Sequence, residues 1–199
     1  MKTTNVAQFW KPLDARESAS RTGGPSFTLG NRLMRVFWRT SWLVLARWTP
    51  PPLHAWRAFL LRSFGAVIGE NCRVHASVNI WLPANLTLKD NVLIGPGAII
   101  YNQGYITIGN DTVVSQRAHL CASTHDVNDP EFQLILRPVD LGNRCWVAAE
   151  AFVGPGVAMS DGSVLAARGA LFEDTDPWTI YRGNPAAPFK RRERRAGGA

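Results

Sequence analysis

Large aliphatic residues recur at intervals of six through most of the chain. From Leu141 to Leu171 they follow one another without a break, and four positions after each comes a small residue. Three earlier blocks obey the same rule, which gives fifteen hexads with first positions at Ile68, Val74, Ile80, Leu88, Ile94, Ile100, Ile108, Val114, Leu120, Leu141, Val147, Val153, Met159, Leu165 and Leu171. An amphipathic helix needs spacings of three and four, and an isolated strand needs strict alternation. Neither predicts a period of six.

A triangular β-solenoid does predict this period. Each hexad would form a short strand and a corner, and successive coils would pair as parallel strands about 4.8 Å apart. The aliphatic residue fills the interior of the prism, and the small residue lies where the chain turns. The expected fold class is therefore all-β, a parallel β-helix of about five triangular coils, since three hexads complete one coil.

The hexads are interrupted three times, each time after a complete set of three. The gaps Ile80–Leu88 and Ile100–Ile108 span eight positions, and the gap Leu120–Leu141 spans 21. All three insertions should therefore leave the prism at the same corner on successive coils. The first two are bulges, and the third is a loop at residues 121–140. Functional residues are disproportionately found on loops held by a rigid scaffold, so this corner is the candidate site.

Basic residues are concentrated at both ends of a chain whose net charge is +7. Residues 31–64 carry six arginines and no acid, and residues 190–195 carry five cations and one acid. Such ends suit acidic partners such as phosphates or anionic lipid. No helix-turn-helix or aromatic-basic RNA motif is visible, so nucleic acid is not an expected partner.

The chain divides into three parts on this evidence. Residues 1–64 form an N-terminal extension with two amphipathic helices, residues 65–182 form the hexad domain, and residues 183–199 form a short basic C-terminal tail. The Thr-Pro-Pro-Pro sequence at 49–52 separates the two helices. We expect them to cap the open strand edges of the first coil. The alternative is that residues 31–64 form an interfacial segment on an anionic membrane, and the two roles are compatible.

Several features indicate a cytoplasmic protein. The N-terminus has no apolar signal core, and no uncharged run approaches the roughly 20 residues that cross a bilayer. Cys72, Cys121 and Cys145 are widely separated and match neither a disulfide framework nor a zinc ribbon. A peripheral position at the inner face of the cytoplasmic membrane is compatible with the basic, aromatic segment 31–64.

Four stretches of the chain resemble the hexapeptide-repeat acyltransferases. They are WRAFLLRSFGAVIG (56–69), YITIGNDTVVSQRAHLCASTHD (105–126), CWVAAEAFVGPGV (145–157) and RGNPA (182–186). Within that superfamily the chain is similar to the O-acetyltransferases of the colanic-acid-biosynthesis type. The resemblance implies a left-handed β-helix and a homotrimer with sites between subunits. It also implies acetyl-CoA as co-substrate and, as acceptor, a sugar or an exopolysaccharide intermediate, including a lipid-linked saccharide.

His125 is the predicted general base. A neutral hydroxyl hardly attacks a thioester unless a base takes its proton, and imidazole suits this role at neutral pH. His125 lies at the mouth of the long loop and matches the family's catalytic histidine. Asp126 is predicted to contact the acceptor or orient the imidazole, with a local turn cap as the alternative.

Three residues at the same corner are predicted to contact the acceptor. Asn102 and Tyr105 lie one coil before His125, and Trp81 lies two coils before it. Aromatic faces suit sugar rings, and an amide suits their hydroxyls. The alternative is that these side chains only order the bulges.

For coenzyme A, the resemblance points to the coils beyond the loop. Small side chains there would let an extended pantetheine lie against the prism, and cations would meet the nucleotide phosphates. The predicted contacts are Ala148, Ala149, Ala166, Ala167, Arg168, Arg182, Lys190 and Arg191. Trp146 is predicted to line the coenzyme A channel, with a purely structural packing role as the alternative.

Two other functions fit parts of the sequence. A zinc hydrase on the same fold needs three converging histidines. His119 and His125 each follow a hexad position by five residues, so they lie on different prism faces and should not converge with His75 in one chain. Convergence across a subunit interface stays open, but no metal is expected. The second alternative is a non-catalytic, membrane-docked scaffold, which predicts that His125 is dispensable.

Overall fold

The computed structural model describes residues 26–193, which form a parallel β-helix preceded by two helices. Helix α1 is Leu29–Leu45 and helix α2 is His54–Ser63. The strands of coils 1 to 3 are β1 (Val67–Ile68), β2 (Arg73–Val74), β3 (Asn79–Ile80), β4 (Leu86–Leu88), β5 (Leu93–Ile94), β6 (Ile99–Tyr101), β7 (Ile106–Ile108), β8 (Val113–Val114) and β9 (His119–Cys121). A hairpin follows, made of β10 (Ser123–His125) and β11 (Leu134–Leu136). Coils 4 and 5 contain β12 (Val139–Leu141), β13 (Trp146–Val147), β14 (Phe152–Val153), β15 (Ala158–Met159), β16 (Val164–Leu165) and β17 (Ala170–Leu171), after which come β18 (Thr179–Gly183) and β19 (Ala186–Arg191).

Equivalent strands of successive coils pair to form the three faces of the prism. Sheet A has the order β1-β4-β7-β12-β15, sheet C has the order β3-β6-β9-β14-β17, and sheet B runs from β2 through β5, β8, β13 and β16 to β18 and β19. The register aligns hexad residues with one another, as Ile68 with Leu88 and Ile80 with Ile100. Five coils are complete and β18 begins a sixth. The solenoid is thus slightly longer than predicted, because Tyr181 continues the register without matching the aliphatic rule.

The interior of the prism consists of the hexad residues. All fifteen aliphatic positions are at most 7% exposed, and thirteen of the fifteen small positions are also buried. Ala84 and Thr124 are the two exposed exceptions. Each follows the last strand of a coil at an insertion, so the chain has already left the prism. Leu82 and Ala122, two positions earlier, are buried at those corners instead.

The corner between sheets A and B is built on residues with positive φ. Asn71, Asn91, Asp111 and Arg144 have φ values of 53° to 59° on four successive coils. Asn and Asp tolerate the left-handed region better than most residues. The Asn71 amide donates to Asn91, and the Asn91 amide donates to Asp111, so the turn residues also form a ladder along the corner.

The helices cap the first coil with side-chain donors. Backbone N–H groups of each coil donate to carbonyls of the next, so the outward carbonyls of coil 1 need other partners. The donors are Trp38 Nε1 to the Ile80 carbonyl (2.9 Å), Trp42 Nε1 to Ala76 (3.1 Å), Arg57 Nε to Val74 (2.6 Å) and Arg62 Nη2 to Ile68 (2.9 Å). Among residues 26–193, neither helix is both long and apolar enough to cross a bilayer.

The C-terminal segment folds back on the solenoid as far as the structure describes it. Strand β19 pairs antiparallel with β18 at the end of sheet B. The Arg192 N–H then donates to the Trp178 carbonyl at 2.7 Å. The predicted basic tail therefore begins as a strand, and its residues 194–199 lie outside the described residues, as do residues 1–25 of the predicted N-terminal extension.

Candidate active site

The three insertions leave the prism where sheet C meets sheet A, which we call the insertion corner. The first contains a short 3₁₀ turn, Pro83–Asn85, the second is the bend at residues 102–105, and the third is the hairpin β10–β11. The strands before them are paired in register, so the insertions lie on successive coils, as their spacing predicts. Gly104 permits their close stacking, because a Cβ there would lie 2.6 Å from the Ala122 carbonyl oxygen.

Asn102 braces the insertion corner from within. Its side chain is fully buried. Its Oδ1 accepts hydrogen bonds from the N–H groups of Trp81 (3.1 Å) and Leu82 (3.2 Å), and its Nδ2 donates to the Leu82 carbonyl at 2.6 Å. Both ends of the amide are therefore engaged by the backbone. These bonds support the alternative that Asn102 orders the bulges, and its predicted contact with the acceptor stays a prediction.

His125 ends strand β10 and is exposed. Its Nδ1 lies 2.7 Å from the carbonyl oxygen of Phe132, and its ring stacks on the Phe132 ring with centroids 4.6 Å apart. A carbonyl oxygen can only accept, so Nδ1 must carry the proton in this bond. The neutral imidazole then presents the Nε2 lone pair, which is the arrangement that a general base requires.

The hairpin places His125 farther from the prism than the sequence predicts. Ser123 and His125 pair with Leu136 and Leu134 in an antiparallel ladder, so His125 is two residues along a strand rather than at the mouth of a loop. Thr124 is correspondingly exposed instead of occupying a small inward position. A paired strand holds the imidazole more firmly than an irregular loop would.

The other predicted acceptor residues differ in their surroundings. Trp81 is half-buried, with its ring 4.8 Å from that of Phe27 and the Arg35 guanidinium 4.4 Å above it. Tyr105 is half-buried on the second insertion. Asp126 caps its own turn, because its Oδ1 accepts from the Asn128 N–H at 3.0 Å. Trp81 and Tyr105 thus lie at the insertion corner as predicted, and the Asp126 carboxylate is engaged locally.

Most of the predicted coenzyme A residues lie at another corner, between sheets B and C, which we call the small-residue corner. Ala148 and Ala149 follow β13, Ala166 and Ala167 follow β16, and the coils are joined by bonds such as Ala148 N–H to the Leu165 carbonyl at 2.9 Å. The exposed Trp146 on β13 donates from Nε1 to Ser115 Oγ at 2.9 Å, with its ring beside the corner. Ala148 is buried, Ala149 and Ala166 are half-buried, and Ala167 is exposed, so the surface of this corner carries only small side chains at these positions.

The predicted phosphate-binding cations are only partly brought together. Arg168 and Arg182 follow paired residues of sheet B on successive coils, so both lie at the small-residue corner. Arg168 forms an ion pair with Glu150 at 2.7 Å, and Arg117 binds the same carboxylate at 2.7 Å. The Arg168 hydrogen bond and the Arg117 charge lower the pKa of Glu150. Lys190 and Arg191 lie on β19, across from Ile180 and Thr179 rather than at the corner.

Sheet C separates the two corners. Its outer face carries His119, whose ring meets Tyr101 and Phe152 edge-on at 6.3 Å and 5.3 Å. His119 Nε2 is buried and has no hydrogen-bond partner among the described residues, and burial lowers the pKa of this imidazole. Within one chain, the candidate base and the small-residue corner therefore lie at opposite ends of the strands of sheet C.

Sequence reasoning assigned no role to Phe132, which the structure places against His125. It treated residues 121–140 as an irregular loop, and the contact arises only because the hairpin folds residue 132 back onto residue 125. The useful signal was the apolar run Leu134–Leu136 following a polar turn, which is typical of the return strand of a hairpin. Over residues 26–193, no group of three or more His, Cys, Asp or Glu side chains is placed to hold a metal ion.

Comparison with known proteins identifies the family. The chain is 39% identical to the Escherichia coli colanic acid biosynthesis acetyltransferase WcaF over 166 residues, which cover 83% of this chain and 91% of WcaF. It is 24% identical to the E. coli galactoside O-acetyltransferase over 132 residues, 65% of each chain. No protein-family model matches. The chain belongs to the hexapeptide-repeat acetyltransferases of the colanic-acid-biosynthesis type.

Solved structures show the same fold. A maltose O-acetyltransferase from Clostridium difficile superposes with a TM-score of 0.76 at 19% identity, covering 84% of this chain and 90% of the other. A galactoside acetyltransferase in complex with coenzyme A gives a TM-score of 0.74 at 22% identity, covering 83% and 85%. A Vibrio cholerae hexapeptide-repeat acetyltransferase complexed with acetyl coenzyme A gives 0.75 at 18% identity, covering 84% and 91%. The predicted left-handed parallel β-helix is confirmed.

Proposed function

We propose that the protein transfers an acetyl group from acetyl-CoA to a hydroxyl of a sugar or exopolysaccharide intermediate, with His125 as general base. The observation that carries the proposal is the bond from His125 Nδ1 to the Phe132 carbonyl, which leaves Nε2 as the proton acceptor. The names of its relatives and the coenzyme A complexes of structures with this fold support the same chemistry.

The proposed reaction is a direct transfer in a ternary complex. His125 Nε2 removes the proton of the acceptor hydroxyl while that oxygen bonds to the thioester carbonyl carbon. When the tetrahedral intermediate collapses, the carbon–sulfur bond breaks, and the imidazolium returns the proton to the thiolate. The products are the acetyl ester and coenzyme A. General base catalysis of this kind typically contributes about 10²–10⁴-fold.

The donor would lie along the small-residue corner. Ala148, Ala149, Ala166 and Ala167 leave room for an extended pantetheine chain, with Trp146 beside it as a wall. Arg168 and Arg182 supply positive charge for the phosphates, although Arg168 must then share its guanidinium with Glu150. Lys190 and Arg191 reach this region only from β19, so we assign them a secondary, electrostatic contribution.

The acceptor would bind at the insertion corner. Trp81 and Tyr105 offer aromatic faces on the two coils below the hairpin, and Asp126 lies next to the base. Similarity to a colanic acid acetyltransferase favours a polysaccharide intermediate, including a lipid-linked one. We place the enzyme in the cytoplasm, where acetyl-CoA is made.

The separation of the two corners favours an assembly of identical subunits. In one chain, His125 and the small-residue corner lie at opposite ends of the strands of sheet C. The reacting groups would therefore meet when the hairpin of one subunit faces the small-residue corner of the next. A ring of three subunits with such heterologous contacts forms three equivalent sites. We therefore propose a homotrimer with its sites between subunits.

Thiol release from acetyl-CoA in the presence of sugar acceptors tests the function. His125→Ala should lower kcat by about 10²–10⁴-fold. Thr124→Ala, at the neighbouring exposed position of the same strand, should stay within about twofold, as surface changes away from a site usually do. Thr124→Ala should unfold at the wild-type temperature, and His125→Ala slightly below it, because its ring stacks on Phe132. Full activity in His125→Ala would refute the base, and no thiol release with any acceptor would favour the scaffold alternative.

A further inference from the structure

Exposed apolar side chains are concentrated on the two N-terminal helices and their connection. Twelve of the eighteen exposed large apolar residues in the described part of the chain lie there. They are Leu29, Leu33, Met34, Val36, Phe37, Leu43, Val44, Leu45, Trp48, Leu53, Trp56 and Phe59, which we call the N-terminal apolar surface. Contiguous exposed apolar patches on soluble proteins usually mark an interaction site.

Helix α1 has separate faces for two tasks. Trp38, Trp42 and Ala46 recur at intervals of four and are buried against coil 1. Leu29, Leu33, Phe37 and Val44 recur at helical spacing on a different face, and each is at least 55% exposed. The capping of the solenoid therefore explains only the buried stripe. In the exposed stripe, Phe37 meets the Phe64 ring with centroids 5.2 Å apart, yet Phe37 stays 63% exposed, so the stripe remains open to solvent.

The exposed tryptophans at the end of this surface have their polar atoms satisfied internally. Trp48 is 75% exposed, yet its Nε1 donates to the Val44 carbonyl at 2.7 Å. Trp56 donates to the Leu45 carbonyl at 2.8 Å, and its ring stacks on Phe59 with centroids 5.6 Å apart. These rings present apolar faces without an unsatisfied N–H, which suits the boundary between lipid headgroups and acyl chains.

The charge around this surface has one sign. No acidic residue occurs between residues 27 and 69. Arg57 and Arg62 are committed to carbonyls of coil 1. Arg32, Arg39 and Arg47 are exposed on α1 and its C-terminal turn, and none forms an ion pair with any residue from 26 to 193. Apolar side chains flanked by free arginines are complementary to anionic lipid.

We propose that the N-terminal apolar surface docks the protein on an anionic lipid bilayer, with α1 lying in the plane of the interface. A second copy of the chain is a poorer occupant, because a symmetric contact through this surface would bring like-charged arginines together. The proposal concerns where the protein binds, and it does not depend on the proposed acetyl transfer. The lack of acids distinguishes the surface from an ordinary solvated helix, on which both signs alternate.

Docking in this way would place the membrane beside the insertion corner. Helix α1 and the segment that leads into it reach that corner, since Arg35 of α1 and Phe27 before it both contact the Trp81 ring. A lipid-linked acceptor could then reach the hairpin while its lipid stays in the bilayer. This consequence rests on the proposed function.

Flotation of the full chain with phospholipid vesicles tests the docking without substrate or donor. The protein should float with vesicles containing phosphatidylglycerol, bind pure phosphatidylcholine vesicles at least about tenfold more weakly, and be released by salt. The double variant Leu33→Glu, Val44→Glu should bind the anionic vesicles about tenfold or more below wild type. Val127→Glu, at a still more exposed apolar position on the hairpin, should bind like wild type.

Three outcomes would overturn the proposal. Wild-type binding by the double variant would show that the surface does not touch lipid, and equal binding to both vesicle types would exclude recognition of anionic lipid. If the double variant had a smaller particle mass than wild type in solution, the surface would be a contact between copies. His125→Ala should float like wild type, so failure of the catalytic proposal leaves this result unaffected.

Discussion

At the residue scale, Phe132 supplies two contacts to the candidate base. Its carbonyl oxygen receives the Nδ1 proton of His125, and its ring stacks on the imidazole. The residue does this with a φ of 54°, a region that costs a non-glycine residue about 1–2 kcal/mol. Its backbone strain is thus coupled to the position of the imidazole. Strain of this kind often accompanies functional sites.

Phe132→Asn separates these contributions. Asn accepts positive φ more easily and keeps the carbonyl, and this gain offsets the loss of the stacked ring, so the free energy of unfolding should change by no more than about 1 kcal/mol. Loss of the stacked ring, worth about 0.5–1.5 kcal/mol, should lower kcat about two- to tenfold. Steady-state kinetics and thermal unfolding of the same preparation measure both. An unchanged kcat would mean that the carbonyl alone orients His125.

At the element scale, the N-terminal helices and the insertions have different roles in the solenoid: the helices cap its first coil, and the insertions form the insertion corner. The helices end the solenoid, because indole and guanidinium donors satisfy the carbonyls that a first coil leaves open. The insertions use the regular coils as a foundation, with Asn102 and Gly104 allowing successive bulges to stack. Neither device disturbs the fifteen aliphatic hexad positions, which all stay at most 7% exposed.

Gly104→Ala should loosen the insertion corner. The new Cβ would lie 2.6 Å from the Ala122 carbonyl oxygen at the base of the hairpin, so the backbone must move. We expect a loss of about 1–3 kcal/mol in the free energy of unfolding, typical of overpacking, and a lower kcat. Gly30→Ala, in the first turn of α1, meets only Thr28 Oγ1 at 4.0 Å and should instead stabilise by up to about 1 kcal/mol. Denaturant unfolding compares the two, and equal effects would contradict a special packing role for Gly104.

The hexad rule predicted the interior residues and the corner that carries the insertions, because inward packing imposes a period that a single sequence displays. It did not predict the exposure of Ala84 and Thr124, since the rule says nothing about where an insertion departs. The Asn102 brace and the Phe132 contact depend on local hydrogen bonding inside the insertions. Such contacts do not recur at regular intervals in the sequence, so the hexad rule cannot predict them. The predicted coenzyme A contacts rested on resemblance, and the predicted acceptor contacts rested on their place at the insertion corner. These roles, like that of His125, remain proposals.

At the scale of the whole molecule, the arrangement of the two corners decides how many chains make a site. Sheet C lies between the hairpin and the small-residue corner, and its outer face is filled by Tyr101, His119 and Phe152. On the proposed function, a single chain would therefore offer two half-sites at opposite ends of the strands of sheet C. An assembly in which each subunit lends its hairpin to a neighbour would join them.

Mixing two inactive variants tests this arrangement. Ala167→Trp should block the donor at the small-residue corner, and His125→Ala removes the base. After unfolding and joint refolding in equal amounts, random assembly should restore activity at roughly a quarter of the sites if each site joins two chains. Separately refolded samples mixed afterwards are the control and should stay inactive. Recovery no greater than that control would mean that each chain carries its complete site.

The coil spacing also makes the solenoid a ruler. The helices cap coil 1 and the hairpin leaves coil 3, so its base stands two coil spacings, about 10 Å, from the capped end along the axis. Hydrogen-bonded coils cannot be added in fractions. In a relative, the distance along the axis between the capped end and the hairpin can therefore change only in steps of one coil, about 4.8 Å. Each step adds or removes three hexads in the sequence.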